Sequence, residues 1–333
     1  MLERLNLNIQ NIVVLNDFFL DRIVKISDIE KIYGQILEKS KLGGSIRGIT
    51  QQDIKGGNAT NVAYALARLG CPVTLITVAD KASKALLKDT FAEFQRSFLF
   101  IIDGKPGKTT SLEFQNGGEI VNIMLSDLGD NENFGPEKLG AKELEAITQS
   151  DAVIVTNWAS NQKGTELCKF VFAKSPKAMH FLDPADIQTR QEEFKGAINE
   201  LGSLLDSLCI NENECNILSK QYGLGQISGI EETKKLIQNL SNRTSVSIDL
   251  HTSSGAYWSD GLEVDFVKSY PVEPHFVTGA GDVWDAANIV GYLANLDSYE
   301  RLLFANSAAS LYVNNIQGIP PTLDDVLAFC KKQ

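Results

Sequence analysis

Residues 56–80 read GGNATNVAYALARLGCPVTLITVAD, a helix that runs directly into a strand. From 58 to 69, apolar residues return at helical spacing behind a pair of glycines. From 73 to 78, VTLITV is a β-branched run without the apolar–polar alternation of a half-exposed strand. Such a run belongs to a strand buried on both faces, as in a parallel sheet covered by helices. The same reading extends outward to IVVL at 12–15, FLFII at 98–102, AVIVT at 152–156, MHFLD at 179–183, SLCIN at 207–211 and SVSIDL at 245–250. Helical periodicity falls between them at 138–149, 161–174, 231–240, 283–296 and 299–314. Strands alternating with helices predict a three-layer α/β/α core around a mostly parallel sheet.

Two regions break the alternation. KTTSLEFQNGGEIVNIML at 108–125 predicts two strands joined by an Asn-Gly-Gly turn. Residues 18–26 and 44–54 carry β-branched residues without helical period. Together, about 18–54 and 108–125 are expected to form a small antiparallel β flap at the core's edge, within a single domain over 1–333. A flap that closes over a site excludes water from a reactive phosphate. In a parallel α/β sheet, ligands bind beyond the carboxyl ends of the strands. The polar residues expected there are Asn16, Asp17, Thr156, Asn157, Asp183, Asn211 and Asp249.

Composition narrows the function. With 31 basic and 42 acidic side chains the formal charge is −11, which opposes attraction to nucleic acid or an anionic membrane. No run approaches the roughly 18 apolar residues of a membrane span. The opening MLERLNLNIQ lacks a basic segment followed by an apolar one, so no secretory leader and a cytoplasmic location are expected. Five cysteines without a CxxC pair predict reduced thiols, and three scattered histidines predict no zinc site. GxxxxGK[ST] is absent, and the glycines at 223, 225 and 229 lack dinucleotide-fingerprint spacing. His251 and His275 read as loop or packing residues.

The chemistry concentrates in Thr278-Gly279-Ala280-Gly281-Asp282, which opens the amphipathic stretch VWDAANIVGYLANL. Two glycines permit a tight turn and leave N–H groups bare at a helix N-terminus, which makes an anion hole for a transferring phosphate. Asp282 stands at its mouth, placed to accept the proton of an attacking hydroxyl. Alone, such a segment reads equally well as a turn with an Asp cap. Gly56 and Gly57 would let backbone approach a ligand, with Asn58 and Asn61 offering donors and acceptors to hydroxyls.

Taken together, these segments resemble the PfkB, or ribokinase-like, family of carbohydrate and nucleoside kinases, over nearly the whole chain. VVLNDFFLDRI resembles the family's first strand and its sugar-gripping Asp, which falls on Asp21. GGNATNVAYALARLG and VTGAGDVWDAANIVGYL match the N- and C-terminal signatures. Asn211 and Glu214 supply an Asn-x-x-Glu, and QGIPPTLDDVLAF resembles the usual close. The resemblance implies a kinase with Asp282 as base and Gly279, Ala280 and Gly281 as the anion hole. It implies that Asp21, Gly57 and Asn61 hold a sugar or nucleoside. It also places Asn211, Gly255 and Asn306 at the nucleotide, and has Asn211 and Glu214 organise Mg²⁺ through water. The cofactor implied is Mg²⁺ with ATP, or with ADP as donor, and the free flap edge invites a homodimer.

Three departures stand out. Val277 replaces an Asp tied to monovalent-cation binding, which speaks against potassium activation. Thr252 stands where the nucleotide loop usually has a second glycine, and VADKASKALL leaves Asp80 without a role. Phe18, Phe19 and Phe114 are candidates to stack a nucleoside base. Against the sugar kinase stand a nucleoside kinase of the same fold and, in another class, an inactive metabolite-binding regulator.

Overall fold

Side-chain parity along the first strand sets the layers. In β1 (Ile12–Asn16), Ile12 and Val14 join one hydrophobic cluster while Val13 and Leu15 join the other, and all four are fully buried. With both faces covered, no polar alternation survives, which is why these runs read as continuous apolar segments. In a computed structural model of the chain, residues 8–116 and 119–332 are described.

After β1 come β2 (Phe19–Ile26), α1 (Ile29–Lys39), β3 (Thr50–Gly56), α2 (Asn58–Arg68), β4 (Val73–Ala79), α3 (Lys81–Thr90) and β5 (Ser97–Asp103). Next are β6 (Gly107–Asn116), β7 (Glu119–Asp127), α4 (Ala141–Thr148), β8 (Ala152–Thr156), α5 (Gly164–Lys174), β9 (Met179–Asp183) and α6 (Gln191–Leu201). The chain continues with β10 (Ser207–Asn211), α7 (Glu212–Gln221), α8 (Ile230–Thr244), β11 (Ser247–His251), β12 (Gly255–Ser259) and β13 (Val264–Lys268). It closes with α9 (Ala280–Leu293), α10 (Ser298–Val313) and α11 (Leu323–Cys330).

Nine strands form the main sheet in the order β13-β12-β11-β10-β9-β8-β1-β4-β5. Every pairing is parallel except the two that add β12 and β13 at one end. The core is therefore the expected three-layer α/β/α architecture around a mostly parallel sheet. α2, α9 and α10 supply one cluster, and α5, α6, α7 and α8 supply the other. β1 lies between β4 and β8, so successive crossovers leave it in opposite directions and open a crevice at its carboxyl end.

The flap is a separate four-stranded sheet, β3-β2-β6-β7. Its outer pairs are antiparallel, and its central β2–β6 pair is parallel. The hairpin strands of 108–125 are present, while Gly117 and Gly118 of the expected turn lie outside the described residues. The expected flap stretch 44–54 is strand only from Thr50. Between β2 and β3 sits a helix that the reading passed over, α1, capped by Asp28 accepting from the Lys31 N–H at 2.9 Å. Its apolar stripe of Tyr33, Ile36 and Leu37 stays exposed, so nothing in the core demanded it.

Asp249 also corrects expectation. It lies in the middle of β11, fully buried, bonded to Arg301 at 2.6 Å, Ser207 Oγ at 2.5 Å and the Tyr292 hydroxyl at 2.8 Å. His251 takes the strand's carboxyl end instead. All five cysteines are free, as expected. Among the described residues, no helix is long and apolar enough to cross a membrane.

Candidate active site

The carboxyl end of β1 organises the site. Asp17 is fully buried, and both of its oxygens are engaged. Oδ2 accepts from the Asn58 N–H at 2.9 Å and Asn157 Nδ2 at 3.0 Å; Oδ1 accepts from the Ala59 N–H and Thr156 Oγ1, both at 2.9 Å. Asp17 thus caps the start of α2 and ties it to β8, a bracing role. Gly57 has φ +94°, and a Cβ there would meet the backbone of residues 17–19 at 3.0 Å. The second glycine of the pair therefore serves this close packing. Gly56 serves the flap: a Cβ on it would overlap the Asp21 carboxylate at 1.9 Å.

That bracing aims α2 at Asp282. Asn58 Nδ2 donates to Asp282 Oδ1 at 3.1 Å, and Asn61 Nδ2 donates to Oδ2 at 2.9 Å. The two asparagines expected to meet hydroxyls thus hold the carboxylate as well. Burial pushes the Asp282 carboxyl well above the ordinary range, and the nearby Asp183 adds to this. The Asn61 hydrogen bond and the charge of Lys55 pull it back. A carboxylate so placed takes up a proton readily, which suits a base.

The anion hole differs in one donor from expectation. Gly279 adopts φ +83°, and Tyr312 braces the turn by donating to the Thr278 carbonyl at 2.7 Å. The Ala280 N–H is spent on the Val277 carbonyl at 3.1 Å. Among the described residues, the Gly279, Gly281 and Asp282 N–H groups have no partner, so Asp282 takes the place of Ala280 among the bare donors at the N-terminus of α9.

Two cavities meet at this turn. One, of about 770 Å³, is lined by Thr252, Ser253, Ser254, Tyr270 and Trp284 among others; the second, of about 270 Å³, is lined by Asp183, Asn211, Glu214, Asp282 and Asp285 among others. Gly281 and His251 border both. Burial pushes the His251 imidazole down to about 4, so it is neutral near pH 7. Its ring atoms lie 3.1–3.3 Å from where a Cβ on Gly281 would sit, which gives a residue set aside in the sequence a place in the wall between the cavities.

The remaining expected residues distribute as follows. Asp21, on β2, has one buried oxygen with no partner, and burial raises its carboxyl to about 6. Asn211 and Glu214 face the smaller cavity and also cap each other reciprocally: Glu214 accepts from the Asn211 N–H at 2.9 Å and from Asn211 Nδ2 at 2.6 Å. Asn306 borders the larger cavity, but its amide is committed to Trp284 Nε1 at 2.8 Å and the Val267 carbonyl at 2.9 Å. Gly255 does not line either cavity; its φ of +157° starts β12, where a Cβ would strike the Val267 carbonyl at 2.5 Å. The loop before it, Thr252–Ser254, reaches the cavity instead. Phe18 is fully buried in the core and Phe19 packs beneath Gly107, so neither offers a stacking face.

Sequence reasoning missed Asp285 and Lys55. Asp285 lies one helical turn beyond Asp282 on α9, a spacing visible in GDVWD; its buried Oδ1 has no partner among the described residues. Lys55 precedes the glycine pair, where a lone lysine carries no local signal of its place in the site.

The family model described as pfkB family carbohydrate kinase matches residues 21–325. Among curated relatives, a ribokinase of Bacillus subtilis (strain 168) is 26% identical over 294 residues, 87% of this chain and 92% of that protein. A 5-dehydro-2-deoxygluconokinase of Clostridium beijerinckii is 24% identical over 300 residues, 84% of each. Among solved structures, Arabidopsis thaliana ribokinase complexed with ribose and ATP superposes with TM-score 0.75 at 20% identity, over 97% of this chain and 99% of that one. Sinorhizobium meliloti adenosine kinase gives TM-score 0.73 at 16% identity, over 98% and 99%.

Proposed function

Because the chain belongs to the pfkB family of carbohydrate kinases, phosphotransferases with an alcohol group as acceptor, we propose that it moves the terminal phosphoryl group of ATP to a hydroxyl of a sugar or sugar-like molecule. The observation that carries this reading is the position of Asp282, held by Asn58 and Asn61 where the two cavities meet at a helix N-terminus. The larger cavity takes the nucleotide. Asp21 on the flap and Asn61 on α2 take the acceptor on the other side of Asp282.

The chemistry follows from these positions. The acceptor hydroxyl donates to Asp282; as its oxygen bonds to phosphorus, the proton passes to the carboxylate and the bond to the leaving nucleotide breaks. Charge developing on the phosphoryl oxygens meets the Gly281 and Asp282 N–H groups and the positive end of α9. Positioning and charge neutralisation carry most of such a reaction.

Magnesium fits the acidic cavity. Both Glu214 oxygens already accept hydrogen bonds from Asn211, and its carboxyl is pushed well above the ordinary range by burial and then by Asp183. Among the described residues, no three acidic, His or Cys side chains cluster closely enough to hold a bare metal. The set therefore suits a hydrated cation that rides on the nucleotide, with Glu214 and Asn211 holding it through water. Bound there, it would neutralise phosphate charge.

A sugar is favoured over a nucleoside because two of the three candidate stacking aromatics, Phe18 and Phe19, are consumed by packing, which leaves the half-buried Phe114 alone. We place the reaction in the cytoplasm, in one kinase domain with the flap as its lid. The free edge of β7, where Ile123, Met124 and Leu125 are half exposed, is the surface for pairing of two copies. The test is a nucleotide-consumption assay with Mg²⁺ and ATP or ADP across sugars, polyols, sugar phosphates and nucleosides. Turnover with a sugar-like acceptor is expected. Turnover confined to nucleosides would replace the acceptor assignment, and binding without any turnover would favour the regulator.

A further inference from the structure

The acidic site contains one cation that the kinase reading does not use. Lys55 is the penultimate residue of β3, immediately before the glycine pair, and its ammonium packs 4.4 Å over the Tyr64 ring. It donates to Asn61 Oδ1 at 3.1 Å. Half-buried, it forms no ion pair with a carboxylate among the described residues, whereas the fully buried Arg301 is committed to Asp249. The charged groups that face Lys55 are Asp21 from β2 and Asp282 from α9, with Asp17 behind both and Asp183 behind Asp282. From α2 it meets Asn61 and Tyr64.

The chain of contacts has a direction. An asparagine amide can present either end to a neighbour, but an ammonium only donates and a carboxylate only accepts. With Lys55 on Oδ1, Asn61 must turn Nδ2 toward Asp282, where it donates at 2.9 Å. Asn58 holds the other oxygen at 3.1 Å, so the carboxylate is gripped from both sides while lone pairs remain for the acceptor hydroxyl.

We propose that Lys55 is a positioning residue for Asp282: it locks the Asn61 amide as a donor to the carboxylate and sets a positive charge opposite it. This rests on Asp282 being the base of the proposed kinase. Burial lowers the lysine to about 8, so its charge is present at neutral pH and is lost as pH rises through that value. Below it, the charge favours ionised Asp282. Above it, both the charge and the lock on Asn61 weaken.

The test compares pH profiles of kcat/KM for the wild type, Lys55→Met and Lys55→Arg. In Lys55→Met the acid limb moves up by about one to two pH units, a tenfold or greater loss at pH values below the limb that is recovered on raising the pH. Lys55→Arg restores the acid limb and removes the fall above pH 8. An acid limb that stays in place in Lys55→Met overturns the proposal, whatever happens to kcat. A second readout needs no acceptor: ¹³C NMR of aspartate-labelled protein, with the Asp282 resonance assigned by its absence in Asp282→Asn. Its titration moves to higher pH in Lys55→Met. An unmoved titration refutes the role of Lys55 even if turnover is found, whereas a moved titration without any turnover supports that role and favours the regulator over the kinase.

Discussion

Two groups of buried and half-buried carboxylates lie near the sheet, and they are treated in opposite ways. Asp249 has a guanidinium and two hydroxyls as partners, and Arg301 in turn contacts Asn288 and stacks 3.7 Å from the Tyr292 ring. At the carboxyl edge, Asp183, Glu214, Asp282 and Asp285 crowd one another without a guanidinium, and all four are pushed upward by burial and then by neighbouring carboxylates or, for Asp183, after opposing backbone bonds. The first group is neutralised within the fold. The second is left charged or protonated at a cost, which agrees with the proposed site for a hydrated cation and a phosphoryl group.

The sharpest way to break the contrast is Arg301→Met. It leaves Asp249 buried and unpaired, and should cost about 3–5 kcal/mol in denaturant unfolding. A loss below about 1 kcal/mol would mean the two groups are not different in kind.

Asp285→Asn should do the reverse. Its folded carboxyl is raised above the unfolded value, so the ionisation penalty is absent at acid pH and grows as pH rises. The variant, without added metal, should therefore gain on the order of 1–3 kcal/mol near pH 8 and little near pH 4. Thermal melts at the two pH values decide this.

A smaller effect concerns the carboxylate on the flap. Asp21, raised to about 6, grips acceptor hydroxyls most strongly when ionised. The acceptor KM should rise roughly tenfold as pH falls from 7 to 5, and Asp21→Asn should have a high KM that no longer varies over that range.

The unequal legibility of these features has a physical basis. The core strands were readable because burial on both faces leaves a mark in each short run. Gly279 and Asp282 were readable because a left-handed turn and a helix N-terminus place their demands on adjacent residues. The Asp249–Arg301 pair joins positions 52 residues apart, and no local pattern announces it. Lys55 and Asp285 gain their meaning from what lies across the site. Ala280 failed as a donor because its N–H closes the turn that the glycines make possible, and Gly255 was displaced because its constraint is the approach of β13. α1 was passed over although its period is regular, since it covers no core.

The central claim is that Asp282 takes the acceptor's proton, and Asp282→Asn tests it most directly. Nucleotide binding and phosphoryl transfer to the acceptor found for the wild type would be measured side by side. The account predicts near-unchanged nucleotide affinity with kcat lowered by about 10²–10⁴-fold, since the isosteric amide keeps the turn but cannot receive the proton. Phosphoryl transfer within a few-fold of wild type, at unchanged nucleotide affinity, would contradict it.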